Sequence, residues 1–277
     1  TESLVELVTA MLGVLGAGGA FLVIDPAEPP ARARRILASA APDLLLGGPA
    51  IHALDPDVPY LSMGIVDADE LPLVEGTRPD AGHLAYVAFT SGSSGAPKGV
   101  AVERGAISRY VAVAGRAFSI APGDRVLQLG SPAFDLAYEQ IFGALCHGAT
   151  LVATDGRPYT GTEDLFATCV RHRVTLLDLP THVWARAARD VARAGLEIPG
   201  TVRLTVIGGD EARAPDVRAW LEAARGRSGL VNTYGPTEAT IVATAWVAPR
   251  DPDAVPDVVP IGVAIDGAEA VVFDESG

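Results

Sequence analysis

Residues Tyr86 to Val100 read YVAFTSGSSGAPKGV. The stretch opens apolar and β-prone (Tyr86, Val87, Ala88, Phe89), which predicts a buried strand. It then breaks into Thr90-Ser91-Gly92-Ser93-Ser94-Gly95, with Pro97-Lys98-Gly99 behind. Such a loop offers many unhindered backbone N–H groups, several hydroxyls and one cation. Glycines let the main chain approach an anion closely and reach φ > 0. Successive N–H groups in such a turn form an anion-binding nest, for which phosphate is the natural guest. The spacing excludes a Walker loop: counted from Gly92, Pro97 stands where glycine is required, and Gly99 follows Lys98 in place of Ser or Thr. A flexible surface linker is the plain alternative, but linkers do not usually follow a buried strand or end in Pro-Lys-Gly.

The 277 residues allow about two domains or subdomains. With 49% hydrophobic and 20% charged residues, the composition is that of a packed globular protein. The net charge of −13 makes the chain a poor partner for a nucleic-acid backbone. An anionic nucleotide would have to be held locally, by loop amides, a few cations and a metal. Cys146 and Cys169 are the only cysteines and form no CxxC, which fits a reduced cytoplasmic setting. Leu7 to Ile24 runs 18 residues without a charge, near the length of a membrane span. Gly13, Gly16, Gly18 and Gly19 interrupt it, so a helix to about Leu15, a turn and a strand Ala20–Ile24 are expected instead. Glu2 and Glu6 stand where a signal peptide would be basic, and no membrane association is expected.

Downstream, Pro29 and Pro30 suit the start of a helix at Ala31–Ala40, followed by a buried strand from Asp43. Residues 47–83 read as loops with a short strand or two, and Ile107–Phe118 has helical spacing. From Ala121 strands and helices alternate. Strands are expected at Arg125–Leu129, Thr150–Ala153, Thr175–Leu179, Arg203–Ile207 and Leu230–Thr233, with helices at Ala137–His147, Glu163–Arg173, His182–Ala194 and Ala214–Ala224. That alternation implies βαβ units and a parallel sheet. Two more strands are expected at Thr240–Val247 and Ala268–Asp274.

Ligands of such sheets sit at the carboxyl ends of the strands, so the residues just after each strand carry the argument. Asp135 follows the first. It is either the cap of the next helix or a carboxylate held for an ammonium group, and the residues alone leave both open. Asp178 interrupts an apolar strand, and a buried carboxylate needs a partner: an internal ion pair, a water, or a ligand. Gly208-Gly209-Asp210 lets something flat lie against the backbone. In Asn232-Thr233-Tyr234-Gly235-Pro236-Thr237-Glu238, Tyr234 offers a ring face to a base and Asn232 a donor and an acceptor to an adenine edge. Thr237 suits a phosphate oxygen, and Glu238 is a hard oxygen ligand suited to Mg²⁺. The five histidines show no metal-ligand spacing, and no Ser-His-Asp, Cys-His or zinc pattern is present.

The Tyr86–Val100 stretch resembles the AMP-binding signature of the adenylate-forming superfamily, which includes acyl-CoA ligases, luciferases and amino-acid adenylation domains of nonribosomal peptide synthetases. Asn232-x-Tyr234-Gly235-Pro236-Thr237-Glu238 is similar to a second family motif at every fixed position. Gly16 to Pro26 resembles the family's Lys-Ala-Gly-Gly-Ala-Tyr…Asp-Pro block, with Gly16 for Lys and Phe21 for Tyr. Asp210 replaces a family Glu, and Arg104 stands where the family often has His. Phe134-Asp135 resembles the amino-acid adenylation domains in particular, whose Asp receives the substrate α-amino group and which acyl-CoA ligases generally lack.

The resemblance implies an α/β fold of stacked αβαβα subdomains with mostly parallel sheets. Residues 1–120 would hold the phosphate loop, 121–248 a flavodoxin-like subdomain with the substrate pocket, and 249–277 the start of a β-rich segment. It covers the middle of the family's length; the family's ribose-binding Asp and its C-terminal catalytic-Lys domain have no counterpart in these residues. The implied reaction is adenylation of an amino-acid carboxylate by Mg·ATP, for loading onto a carrier protein's phosphopantetheine arm. The implied phosphate and catalytic groups are Thr90, Ser91, Gly92, Ser93, Ser94, Gly95, Lys98, Thr237 and Glu238, the last with Mg²⁺. Gly209, Asp210, Asn232, Thr233, Tyr234 and Gly235 would hold the adenosine part. Asp135, Leu136, Tyr138, Asp178, Val206, Gly208, Thr233, Ile241 and Val242 would line the amino-acid pocket. The spacing between the Asp and a following Glu, here Glu139, is one residue shorter than is usual, which leaves Tyr138 or Ala137 as the pocket residue on this helix. Some family members need an MbtH-like small partner.

Overall fold

A computed structural model describes residues 3–63, 79–91, 97–153 and 159–274, with Ser91 by its backbone only. It divides into two compact units: Thr1–Ile107 with Ser131–Phe134, and Ser108–Gly130 with Asp135–Gly277.

The first unit opens with helix α1 (Leu4–Gly16), whose N-terminus is capped by the Ser3 hydroxyl accepting from the Glu6 N–H. Helix α2 (Pro30–Ala40) begins on its proline and ends at Ala41 in a left-handed conformation. Strand β1 (Leu45–Gly47), helix α3 (Pro49–His52) and strand β2 (Tyr60–Ser62) follow, β1 and β2 pairing in parallel. Strand β3 (Leu84–Ser91) pairs antiparallel with β4 (Pro97–Glu103), Leu84 opposite Glu103 and Ser91 opposite Pro97. The phosphate-loop stretch therefore lies between the two arms of a β-hairpin. The strand expected at Ala20–Ile24 reduces to a single bridge of Phe21 to Tyr86, whose rings stack at 5.7 Å. Only Phe21 exchanges backbone bonds with β3, and extended chain without a continuing ladder is not a strand. Arg104 donates to the carbonyls of Leu15 (3.0 Å), Gly19 (2.6 Å) and Leu84 (3.2 Å), tying the end of α1 and its glycine turn to β3.

Helix α4 (Arg104–Ala117) leads on to the second unit, built from β5 (Arg125–Leu127), α5 (Asp135–Cys146), β6 (Thr150–Val152), α6 (Thr162–His172), β7 (Leu176–Pro180), α7 (Thr181–Ala194), β8 (Leu204–Gly208), α8 (Ala214–Ala224), β9 (Gly229–Tyr234), β10 (Thr244–Val247) and β11 (Val263–Ala264). They form one seven-stranded sheet in the order β11-β10-β9-β8-β7-β5-β6. β5 to β9 run parallel and β10 and β11 antiparallel, so the fold is α/β with a mostly parallel sheet, as the alternating pattern predicts. The strand expected from Thr240 starts at Thr244, because Thr240 and Ile241 hold φ of 65° and 70°. Residues 268–274 form no strand; Val271, Val272 and Phe273 stand 58%, 96% and 73% exposed there, and β-propensity becomes a strand only beside a ladder. Among the described residues no helix is long and apolar enough to cross a membrane.

One face of the sheet carries the main core. Leu127, Leu177, Leu179, Ile207 and Leu230 pack there against α6, α7 and α8. Trp184 and Trp220, both fully buried, meet edge to face at 6.1 Å between α7 and α8. Arg189 of α7 grips Asp216 of α8 with two bonds, 3.1 and 2.8 Å.

Asp124 locks the turn before β5 to the starts of β7 and β8. Its carboxylate accepts two bonds from Arg203 (2.8 and 2.7 Å), one from Thr175 (2.6 Å) and one from the Ala121 N–H (3.0 Å). Arg203 and these donors pull its pKa from 3.8 down to about 2 despite burial. A depressed carboxylate stabilises the fold fully above its unfolded pKa, and that contribution disappears as pH falls through the folded value. A displacement of this size is worth roughly 2 kcal/mol. Asp124→Asn is expected to lower stability at pH 7 by about 2–3 kcal/mol and to flatten the stability loss between about pH 4 and 2, read from urea midpoints across pH.

Candidate functional site

The strand order contains one reversal. From β5 the chain goes to β6 on one side, and from β6 it returns past β5 to β7. Parallel crossovers are right-handed, so α5 and the three helices α6, α7 and α8 fall on opposite faces, and the carboxyl ends of β5 and β7 are the switch point at which such sheets take their ligands. The two strands share only the pair Val126 and Leu176. Beyond it, the fully buried Gln140 of α5 bridges them: its Oε1 accepts from the Leu129 N–H (3.1 Å) and its amide donates to the Asp178 carbonyl (2.9 Å).

Side chains alternate along strands, and the register sets Asp178 beside Val206 and Val206 beside Val231. Asp178, Val206, Gly208 and Thr233 therefore share the face opposite the tryptophan core. Gly208 has to be glycine, since a Cβ there would lie 2.6 Å from the Thr233 hydroxyl, which itself donates to the Ile207 carbonyl at 2.9 Å. Four of the residues expected in the pocket are thus gathered by the sheet alone.

Three acids and a tyrosine line this face. Asp135, the first residue of α5, is half-buried. Burial raises its pKa, against the Thr237 hydroxyl and the N–H groups of Leu136 and Asp135 itself, which favour the charged form. Glu139, one turn along the same helix, is 5% exposed; burial, opposed by the Tyr110 hydroxyl and reinforced by Asp135, lifts it to about 7. Asp178, 2% exposed, is pushed well above the usual carboxylate range by burial and then by Glu139. Tyr110 of α4 is raised too, by burial and Glu139. Among the described residues neither oxygen of the Asp178 carboxylate has a hydrogen-bond partner, nor has Glu139 Oε1.

Helix geometry corrects the reading of α5. Residues four apart share a face, so Glu139, not Tyr138, is the residue the structure brings to Asp135 and Asp178. Tyr138 is fully buried one step round the helix. Leu136 is half-buried next to Asp135. Tyr110 carries no sequence signal, whereas the four-residue spacing from Asp135 pointed to Glu139.

The β9 end forms a tight corner. Asn232 points to the tryptophan side, where its amide donates to the Pro260 carbonyl (2.9 Å) and its buried Oδ1 has no partner. One of its two amide donors is thus already used, and the acceptor remains for a ligand. Tyr234 stands 50% exposed at the strand end. Thr237 and Glu238 sit in a short 3-10 turn, the Thr237 hydroxyl favouring the charged form of Asp135 and the exposed Glu238 raising its pKa. Ile241 and Val242 are buried. The Val242 N–H reaches back to the Thr240 carbonyl (2.9 Å) around Ile241 at φ 70°, a strained γ-turn for a β-branched residue. Gly235 allows it, because a Cβ there would meet the Ile241 carbonyl at 2.4 Å and the Val242 Cα at 2.6 Å.

Gly209, at φ 88°, and Asp210 are exposed after β8, and the Asp210 carboxylate accepts from the Glu211 N–H. In the first unit Thr90 lies opposite Lys98 on the hairpin, and Lys98 is exposed at the base of β4. Ser91 pairs with Pro97 through its backbone; Gly92, Ser93, Ser94 and Gly95 lie outside the described residues. Among the described residues no three His, Cys, Asp or Glu side chains form a metal cluster. A single exposed carboxylate such as Glu238 fits a Mg²⁺ that takes its other ligands from phosphates and water.

The family model described as AMP-binding enzyme matches residues 1–277. Isonitrile lipopeptide synthase of Streptomyces coeruleorubidus is 38% identical over 98% of the chain, which spans 19% of that protein. Bacitracin synthase 3 of Bacillus licheniformis is 31% identical over 98% of the chain, which spans 4% of it. Among solved structures, PA1221, a nonribosomal peptide synthetase protein containing adenylation and PCP domains, superposes with a TM-score of 0.81 at 28% identity, covering the whole chain and 47% of that protein. The synthetase FmoA3 in its α-methyl-L-serine-AMP bound form gives 0.80 at 26% identity, over 94% of the chain and 29% of its own.

Two substitutions test this architecture. Gln140→Leu leaves the Leu129 N–H and the Asp178 carbonyl buried without partners and should cost roughly 2–4 kcal/mol in chemical denaturation. Gly235→Ala pushes against the 241–242 backbone and should cost about 1–3 kcal/mol, with faster proteolysis between β9 and β10 as the local readout.

Proposed function

The chain belongs to the AMP-binding enzyme family, and on that premise we propose that it activates an amino acid within a nonribosomal peptide synthetase. An oxygen of the amino-acid carboxylate attacks the α-phosphorus of ATP. The bond from that phosphorus to the bridging oxygen breaks, pyrophosphate leaves, and an aminoacyl adenylate remains for transfer to the phosphopantetheine arm of a carrier protein. Such a displacement needs placement and charge neutralisation more than proton transfer.

The observation that carries this reading is the Asp135 carboxylate at the start of α5, half-buried beside the Thr237 hydroxyl and the first N–H groups of the helix, which favour its charged form against burial. Such a carboxylate, with no arginine or lysine paired to it among the described residues, suits the α-ammonium of an amino acid and has no use for the plain carboxylic acid of a fatty substrate. Tyr234 offers its exposed ring to adenine, and the free Oδ1 of Asn232 accepts from an exocyclic amine. Gly209 and Asp210 after β8 and Thr233 and Gly235 at the end of β9 would complete the adenosine contacts. Glu238 would ligate Mg²⁺, which supplies charge neutralisation to the phosphates. Lys98 and the hydroxyls and amides of Thr90 to Gly95 take the phosphate oxygens. The carrier domain contained in PA1221 supports a carrier protein as partner, and an MbtH-like protein is a second candidate. Two free cysteines are consistent with work in the cytoplasm.

Asp135→Ala is expected to reduce amino-acid-dependent ATP–pyrophosphate exchange by at least a hundredfold in the intact synthetase, while equilibrium dialysis shows ATP binding within a few-fold of the parent. Unchanged exchange, or exchange driven by aryl or fatty acids and not by amino acids, would overturn the reading.

A further inference from the structure

Four carboxylates are buried in the described residues: Asp124, Glu139, Asp178 and Asp216. Two of them serve the fold, and each has an arginine at 2.7–2.8 Å, Arg203 for Asp124 and Arg189 for Asp216. Glu139 and Asp178 are buried more deeply, yet neither has an ion pair among the described residues. The ionisable groups bearing on them are Tyr110, Asp135 and each other, acids throughout. A chain that pairs its structural acids with arginines has here left two acids side by side with no cation among the described residues to balance them. Buried charges without a partner are costly, and a fold keeps them where a ligand brings the opposite charge.

The geometry points to an amino-acid substrate whose side chain ends in a primary ammonium, of the ornithine or lysine class, with Glu139 and Asp178 as its counter-ions. The inference rests on the amino-acid-activating reading and narrows it. Among the described residues three carboxylate oxygens lack partners, Asp178 Oδ1 and Oδ2 and Glu139 Oε1. An ammonium has three N–H donors and no acceptor. A side-chain amide brings two donors and a carbonyl oxygen that would face the same carboxylates, and a hydroxyl brings one donor. Length agrees. Asp135, which receives the α-ammonium, and Glu139 are four residues apart on α5, about 6 Å along the helix. Three or four methylenes bridge that span. The wall is otherwise apolar or small (Val206, Gly208, Ile241), which suits the methylenes and leaves the charge only one end to go to.

The test is ATP–pyrophosphate exchange by the intact synthetase with L-ornithine, L-lysine, L-arginine, L-norleucine and L-glutamine. Ornithine or lysine should exceed norleucine and glutamine by at least a hundredfold in kcat/KM. Glu139→Gln with Asp178→Asn, close in size and checked for folding by its melting curve, should reduce that preference below tenfold. Norleucine or glutamine matching the cations would overturn the inference and leave the activation reading standing, and so would arginine as the sole cation accepted. Exchange with no amino acid would sink the activation reading, and thermal shift then decides the inference separately. Ornithine or lysine raising the melting temperature above the norleucine value, in the parent and not in the double variant, upholds it; equal shifts overturn it.

Discussion

A single amide holds the second unit at its weakest seam. Where β5 and β7 part after one shared rung, the Gln140 side chain stands in for the missing ladder, accepting from Leu129 and donating to the Asp178 carbonyl. Two backbone groups that would otherwise be buried unpaired are satisfied, and the strands are free to diverge. That divergence is the reason the acids of α5 and β7 face one another. It also fixes Asp178, because the residue whose carbonyl is clamped has its carboxylate aimed at the opposite side from Leu177 and Leu179. Chemistry on this unit therefore starts from a packing problem and its polar solution.

Much of this was legible because period-two and helical patterns are local. The strands around Val126, Leu177, Val206 and Val231 and the helices between them follow from apolar runs and their spacing, and so does the placing of Asp135, Asp178 and Tyr234 at strand ends. Strand order is not local. Nothing in the residues of β5 states that β7 lies beside it, and without that order Tyr110 on α4 cannot be connected to Glu139. The one-residue slip on α5 has a different cause. Counting from a motif made Tyr138 the pocket residue, while the 3.6-residue turn brings Glu139 beneath Asp135. Propensity also misled at 268–274, where apolar residues stay exposed, and at Thr240, where the chain turns with positive φ before β10 begins.

That positive φ is part of a coupled arrangement. A β-branched residue at φ 70° is costly. It persists because Gly235 lets the 241–243 backbone press against the β9 corner and because the Ala243 N–H bonds the Tyr234 carbonyl at 2.8 Å. The strained turn buries Ile241 and Val242 while leaving the Tyr234 ring half exposed a few residues away. One crossing of two backbone segments thus provides an apolar wall and an open aromatic face together.

Asp135 joins two readings that the sequence set against each other, helix cap and ammonium holder. The N–H groups of Leu136 and of Asp135 itself, at the first turn of α5, favour its charged form, as does the helix dipole there. They oppose burial, which raises its pKa. Glu139, one turn deeper and without backbone donors, has no such support and shifts to about 7. The same helix therefore gives its two acids different surroundings: at its start, donor groups offset part of the upward pull of burial on Asp135, and one turn deeper Glu139 has no backbone donors to offset it. The lack of such donors is what leaves the second acid responsive to what enters.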